Sequence, residues 1–177
     1  MSKIEKHIEN YPNGQKKEAG HYLDGEKEGL WTRWSEYGRR EHEGVYKEGE
    51  LIKSTAWDFY TGVKTNEAHF NGVDNKGRPI LDGKLTAWNA KGQKLIVTNY
   101  KDGKTHGLMT KWYANGQKWS EATLKDGKPY GLGTTWYANG QKWSEETYKN
   151  GELISEKCWD EDGYERECYS MKRLWIK

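Results

Sequence analysis

The chain predicts an all-β fold of tandem antiparallel hairpins, and two observations carry that expectation. Glycines recur at Gly14, Gly38, Gly62, Gly92, Gly116, Gly140 and Gly163, spaced by 24, 24, 30, 24, 24 and 23 residues. Ten Trp and twelve Tyr stand in a chain of 177 residues that is only 33% hydrophobic. Amphipathic rings on short strands between glycine turns suit a thin, partly wetted sheet better than a thick core.

Taken in order, the turns come first. A second glycine series, Gly25, Gly49, Gly72, Gly103, Gly127 and Gly151, follows the first by 10 or 11 residues, so each unit of about 24 residues carries two turns. The first type contains Asn115-Gly116 and Asn139-Gly140, a pairing that tolerates positive φ and is a strong hairpin signal. The second type, as in Asp102-Gly103-Lys104-Thr105-His106-Gly107, reads as a longer loop with glycine at both ends. Six to nine residues lie between turns, which is strand length and too short for helices in a regular array. The 30-residue spacing holds a six-residue loop insertion near residues 73–79. The whole reads as a single repeat domain, 1–177, of about seven hairpin units, with 161–177 as a C-terminal cap. Its charged stretch Met171–Lys177 is placed to blunt an edge strand.

Side-chain columns then set the expected faces. Tyr22, Tyr46, Phe70, Tyr100, Leu124, Tyr148 and Met171 each fall eight residues after a turn glycine, and mostly small residues precede them by two: Gly20, Gly44, Ala68, Thr98 and Ala122. On the preceding strands Leu30, Thr32 and Trp34 alternate, as do Leu108, Thr110 and Trp112, and Leu132, Thr134 and Trp136. A three-residue Ala-Asn-Gly loop with Gly116 in the left-handed position keeps Leu108, Thr110, Trp112, Ala122 and Leu124 on one packed face, whereas a two-residue loop separates them. That register sends Lys111, Glu121, Glu145, Tyr113, Trp119, Tyr137 and Trp143 to an outer face. Large rings facing solvent need a reason, and rigid aromatics make good contact surfaces. Tyr113, Trp119, Tyr137 and Trp143 are therefore the candidate partner-binding residues.

Residues 111–121 and 135–145 are identical at ten of eleven positions, and the unit reads Gly-Leu-x-Thr-x-Trp-Tyr-Ala-Asn-Gly-Gln-Lys-x-x-Glu. It resembles the MORN repeat variant, in particular bacterial YwqK-type antitoxin or immunity proteins. The resemblance spans roughly Tyr11 to Gly163. It implies successive hairpins in an elongated, twisted, single-layer MORN-like sheet. Asp74–Pro79, the missing Gly-Leu start at residues 53–58 and the tail from Glu161 depart from the pattern.

Composition narrows the function classes. Lys+Arg 29 against Asp+Glu 27 gives a net charge of +2 and no general field for nucleic acid, so no nucleic-acid partner is expected. No signal peptide or apolar run of membrane-spanning length occurs, which points to the cytoplasm. Cys158 and Cys168, only two, argue against a disulfide framework or a four-ligand zinc site within the chain; they are expected opposite or diagonal to one another on the outer face, as free thiols in a reducing cytoplasm and open to oxidation in vitro. The five histidines are scattered, and no nucleophile elbow, phosphate loop or metalloprotease motif is present. No catalytic residue, cofactor or metal is assigned, and the chain is not expected to be an enzyme. Recurrent Glu43, Glu67, Glu121 and Glu145 and recurrent Lys16, Arg40, Lys64, Lys94, Lys118 and Lys142 are expected to pair across strands. The expected function is a protein-binding module, an antitoxin or immunity protein that neutralises a cognate bacterial toxin. The alternatives are a lipid-associated scaffold at a membrane and, behind it, a carbohydrate binder.

Overall fold

A computed structural model describes residues 2–168. It contains fifteen antiparallel strands in chain order and no helix among the described residues. The strands fall into two compact units, Met1–Gln93 and Lys94–Lys177. Residues 169–177, and with them most of the expected cap including Met171–Lys177, lie outside the described residues.

The first unit contains β1 (Ile4–Asn10), β2 (Lys16–Leu23), β3 (Glu26–Trp34), β4 (Arg40–Lys47), β5 (Glu50–Trp57), β6 (Lys64–Val73) and β7 (Pro79–Trp88). Each pairs with the next. The second contains β8 (Lys94–Lys101), β9 (Lys104–Thr105), β10 (Gly107–Trp112), β11 (Lys118–Lys125), β12 (Lys128–Trp136), β13 (Lys142–Lys149), β14 (Glu152–Trp159) and β15 (Glu165–Arg166). There β8 pairs with both β9 and β10, and the rest follow in order.

The Asp-Gly turn is shorter than expected, while the Asn-Gly turn keeps its expected three-residue loop. Asp126 and Gly127 both have positive φ, 51° and 82°, and Lys125 pairs with Lys128, so this is a two-residue turn rather than a longer loop. Asp24-Gly25, Glu48-Gly49, Asp102-Gly103 and Asn150-Gly151 repeat the positive pair. The second glycine of that motif, Gly131 at φ 71°, belongs to β12 itself. The Asn-Gly turn is the wider one: the Tyr113 N–H donates to the Gln117 carbonyl at 2.9 Å and the Gly116 N–H to the Tyr113 carbonyl at 3.0 Å. Gly116, φ 86°, is left-handed while Asn115 is not, as the three-residue loop requires.

The insertion near 73–79 holds a short turn, 74–78, between lengthened strands. It lengthens β6 and β7 to ten residues each and closes them with a turn of the same wide type, in which the Asp74 N–H donates to the Arg78 carbonyl at 2.9 Å.

One irregularity overturns the expected faces. Trp112 pairs with Lys118 as the odd loop requires, but Lys111 then pairs with Ser120, leaving Trp119 as a bulge. A single extra residue reverses the side-chain phase beyond it. Ala122 and Leu124 therefore join Met109, not Leu108, Thr110 and Trp112. The same slip follows Trp34, Trp57 and Trp136.

The true core face of the second unit holds Met109, Ala122, Leu124 and Tyr148, with Ile96 and Leu153 packed against them. In the first unit Trp31 is 3% exposed and meets Tyr22, Tyr46 and His7. Leu30, Leu108 and Leu132, expected in the core, are instead 51%, 51% and 53% exposed on the opposite face.

Candidate binding faces

The opposite face is a ladder built from the repeat itself. A cation from one repeat lies over the Trp ring of the next: Lys16 on Trp34, Arg40 on Trp57 and Lys64 on Trp88 in the first unit. Lys118 on Trp136 and Lys142 on Trp159 continue the pattern in the second, at 5.6 and 5.0 Å. Four of these five cations pair with carboxylates three residues onward, Arg40 with Glu43 at 2.8 Å, Lys64 with Glu67 at 3.1 Å, Lys118 with Glu121 at 2.8 Å and Lys142 with Glu145 at 2.6 Å.

Those ion pairs were expected across strands and are found mainly within one. On a regular strand, residues i and i+3 point to opposite faces. The bulge between them rotates the chain by one position and brings both to the same side. Burial works to raise the Glu67 carboxyl, but hydrogen bonds from Lys64 and Lys53 outweigh it and leave its pKa below the ordinary value. Because Arg40, Lys64, Lys118 and Lys142 each already have a carboxylate, this part of the ladder is nearly neutral and offers little pull on phosphates.

What the ladder does offer is apolar. Leu108 and Leu132 are the half-exposed ends of the Leu-Thr-Trp stripes in the second unit, and no second layer covers them among the described residues. In the first unit the equivalent stripe, with Ile4, Ile8, Ala19, Leu30 and Trp34, lines a groove of about 550 Å³.

The sequence-predicted residues lie on the other side. Trp119 and Trp143 are half-buried, each tilted against Tyr113 or Tyr137 with centroids 6.2 and 5.8 Å apart. Lys111, which shares the core face with Met109, covers the Trp119 ring at 5.3 Å. Burial lowers the Lys111 pKa. So the four aromatics do come together as two pairs, but on the core face and not on a face opposite Leu124 and Tyr148.

Two of the four have an evident architectural task. The Tyr113 hydroxyl donates to the Trp136 carbonyl at 2.8 Å and the Tyr137 hydroxyl to the Trp159 carbonyl at 3.0 Å, as Tyr11 does to Trp34 at 2.9 Å. Burial, and after it the neighbouring Tyr137, raises the Tyr113 pKa. The Asn of each turn adds a second tie, Asn115 Nδ2 donating to the Ala138 carbonyl at 2.8 Å and Asn139 Nδ2 to that of Glu161 at 3.0 Å. The recurrent Tyr-x-Asn-Gly signature thus joins each turn to the next.

The cysteines lie beside one another as expected, but oxidised and on the core face instead of the outer one. Cys158 and Cys168 form a disulfide with Cα atoms 5.3 Å apart, and Cys158 is 6% exposed on the core face. Pairing of β14 with β15 brings the flanks of the Gly163 turn together, and the chain closes the bond.

Residues 105–126 and 129–150 match the MORN repeat variant. Repeats of this kind are generally binding modules for proteins or membranes. No curated protein matches the chain. Among the described residues, no helix is long and apolar enough to cross a membrane.

Proposed function

We propose that the chain is a non-catalytic protein-binding module, an antitoxin or immunity protein that neutralises a cognate bacterial toxin in the cytoplasm. The observation that carries this reading is the ladder face: half-exposed leucines recur at repeat spacing on the face that carries the cation-covered Trp rings, with most of its charges already paired. Apolar anchors ringed by satisfied polar groups resemble the centre of a protein interface more than a lipid- or phosphate-binding surface. The Trp119 and Trp143 rings form a second contact surface, tested beside the first.

The test is neutralisation of the toxic product of the adjacent gene in co-expressing cells. Leu108→Ser with Leu132→Ser is expected to abolish protection while leaving the folded β-signal intact. Trp119→Ser with Trp143→Ser is expected to lower stability as well as protection. Flotation of the chain with anionic vesicles, together with no protection from the adjacent product, would overturn the proposal in favour of a membrane scaffold.

A further inference from the structure

In an array of near-identical units, departures from the pattern show where one unit does something its neighbours do not. The last hairpin departs at three positions that the fold gathers together. Seven residues before the turn glycine, where Met109 and Gly133 stand, it has Glu156. Five before, where Lys111 and Thr135 stand, it has Cys158, and five after, in place of Glu121 and Glu145, it has Cys168.

The donor atoms of these three residues all lie within 4.8 Å of one another. Cys158 Sγ is 3.8 Å from a Glu156 carboxylate oxygen. In the oxidised state the disulfide consumes both sulfurs. Two thiolates and a carboxylate are a donor set suited to zinc, and in a tetrahedral zinc site such donors stand roughly 3.7 Å apart. The three groups are thus near coordination spacing once the sulfur–sulfur bond opens.

We propose that reduction of the Cys158–Cys168 disulfide turns this corner into a zinc site. The Cys158 and Cys168 thiolates and the Glu156 carboxylate are the ligands, and water takes the fourth position. The reductant is a dithiol in the cell or a phosphine in vitro. Phosphorus attacks one sulfur and the sulfur–sulfur bond breaks. Water supplies the oxygen of the phosphine oxide and the two protons of the thiols. Zinc then displaces those protons. One covalent link across the β14–β15 hairpin is thereby exchanged for another, so this end of the sheet stays tied in both redox states. This departs from the sequence expectation of no four-ligand zinc site, which counted cysteines alone; a carboxylate at the same corner supplies the third ligand and water the fourth.

The experiment uses the full chain, reduced with a phosphine under anaerobic conditions and titrated with cobalt(II). The expected result is one cobalt per chain with sulfur-to-cobalt charge-transfer absorption, displaced by zinc and absent from the oxidised chain. Glu156→Gln is expected to weaken cobalt binding at least tenfold while its disulfide still forms, as read by mass. Cys158→Ser removes a ligand and should abolish the charge-transfer band; should that variant misfold, Glu156→Gln still decides the matter. The proposal fails if the reduced chain shows no charge transfer, if Glu156→Gln binds as tightly as the parent, or if the oxidised chain binds equally well.

Discussion

Asp74 shows how one side chain specifies a turn. One carboxylate oxygen accepts the Lys76 N–H at 2.8 Å and the Arg78 N–H at 3.0 Å, while the other accepts Arg78 Nε at 2.8 Å. The Arg78 guanidinium first, then these backbone donors, lower its pKa from 3.8 to about 2. Because the folded value is the lower one, the turn is favoured above pH 3.8 and that contribution is lost as pH falls toward 2. Carboxyl-carbon NMR should give a midpoint near 2, and Arg78→Ala should return it toward 3.8. Gly20 makes a different demand, since a Cβ there would clash with the Trp31 ring. Gly20→Ala is expected to cost about 1 to 3 kcal/mol in denaturant unfolding, as overpacking does. Tyr113→Phe keeps the ring but deletes its tie to the Trp136 carbonyl, and should cost about 1 kcal/mol.

Among the elements, the bulge after the wide turns at Gly14, Gly38, Gly62, Gly116 and Gly140 has the largest consequence. It sends the Trp of the Leu-Thr-Trp stripe and the Leu or Tyr of the following strand to opposite faces. Trp119 and Trp143 therefore share a side with Leu124 and Tyr148, and Trp112 and Trp136 do not. Both pairs are half-buried. Trp119→Ala and Trp136→Ala are each expected to cost roughly 2 kcal/mol, below the 3 to 5 kcal/mol of a fully buried ring. Salt separates them through the ion pair: a lysine lies over each ring, Lys111 on Trp119 and Lys118 on Trp136, but Lys118 is also held by Glu121, and that contribution should weaken at high ionic strength. Equal salt sensitivity in thermal denaturation would contradict the ladder. The wide turns were legible because Asn-Gly chemistry is local. The bulge was not, since nothing at Trp119 distinguishes a bulged residue from a paired one.

For the whole chain, each of the two units has its own hydrogen-bonded strands and its own buried cluster, Trp31 with its aromatic neighbours in one and Met109, Ala122, Leu124 and Tyr148 in the other. Units that contain their own nearest-neighbour contacts fold as sums of local terms. A fragment of residues 94–177 is accordingly expected to give an antiparallel β spectrum by circular dichroism and a cooperative thermal transition. An unfolded fragment would show that its cluster is insufficient alone.

The period, the strand lengths, the turn glycines and the all-β class were determined by the sequence itself, because positive φ and alternation are properties of a few adjacent residues. The Tyr-x-Asn-Gly signature was equally visible, although its role was not, since the groups it bonds lie 22 or 23 residues away in the next turn. Which face is packed, why Lys118 reaches Glu121, and how Cys158, Cys168 and Glu156 meet were decided only by tertiary structure. In a sheet, a one-residue change of phase exchanges the two faces, and that phase is set by pairing with the neighbouring strand rather than by the strand's own residues.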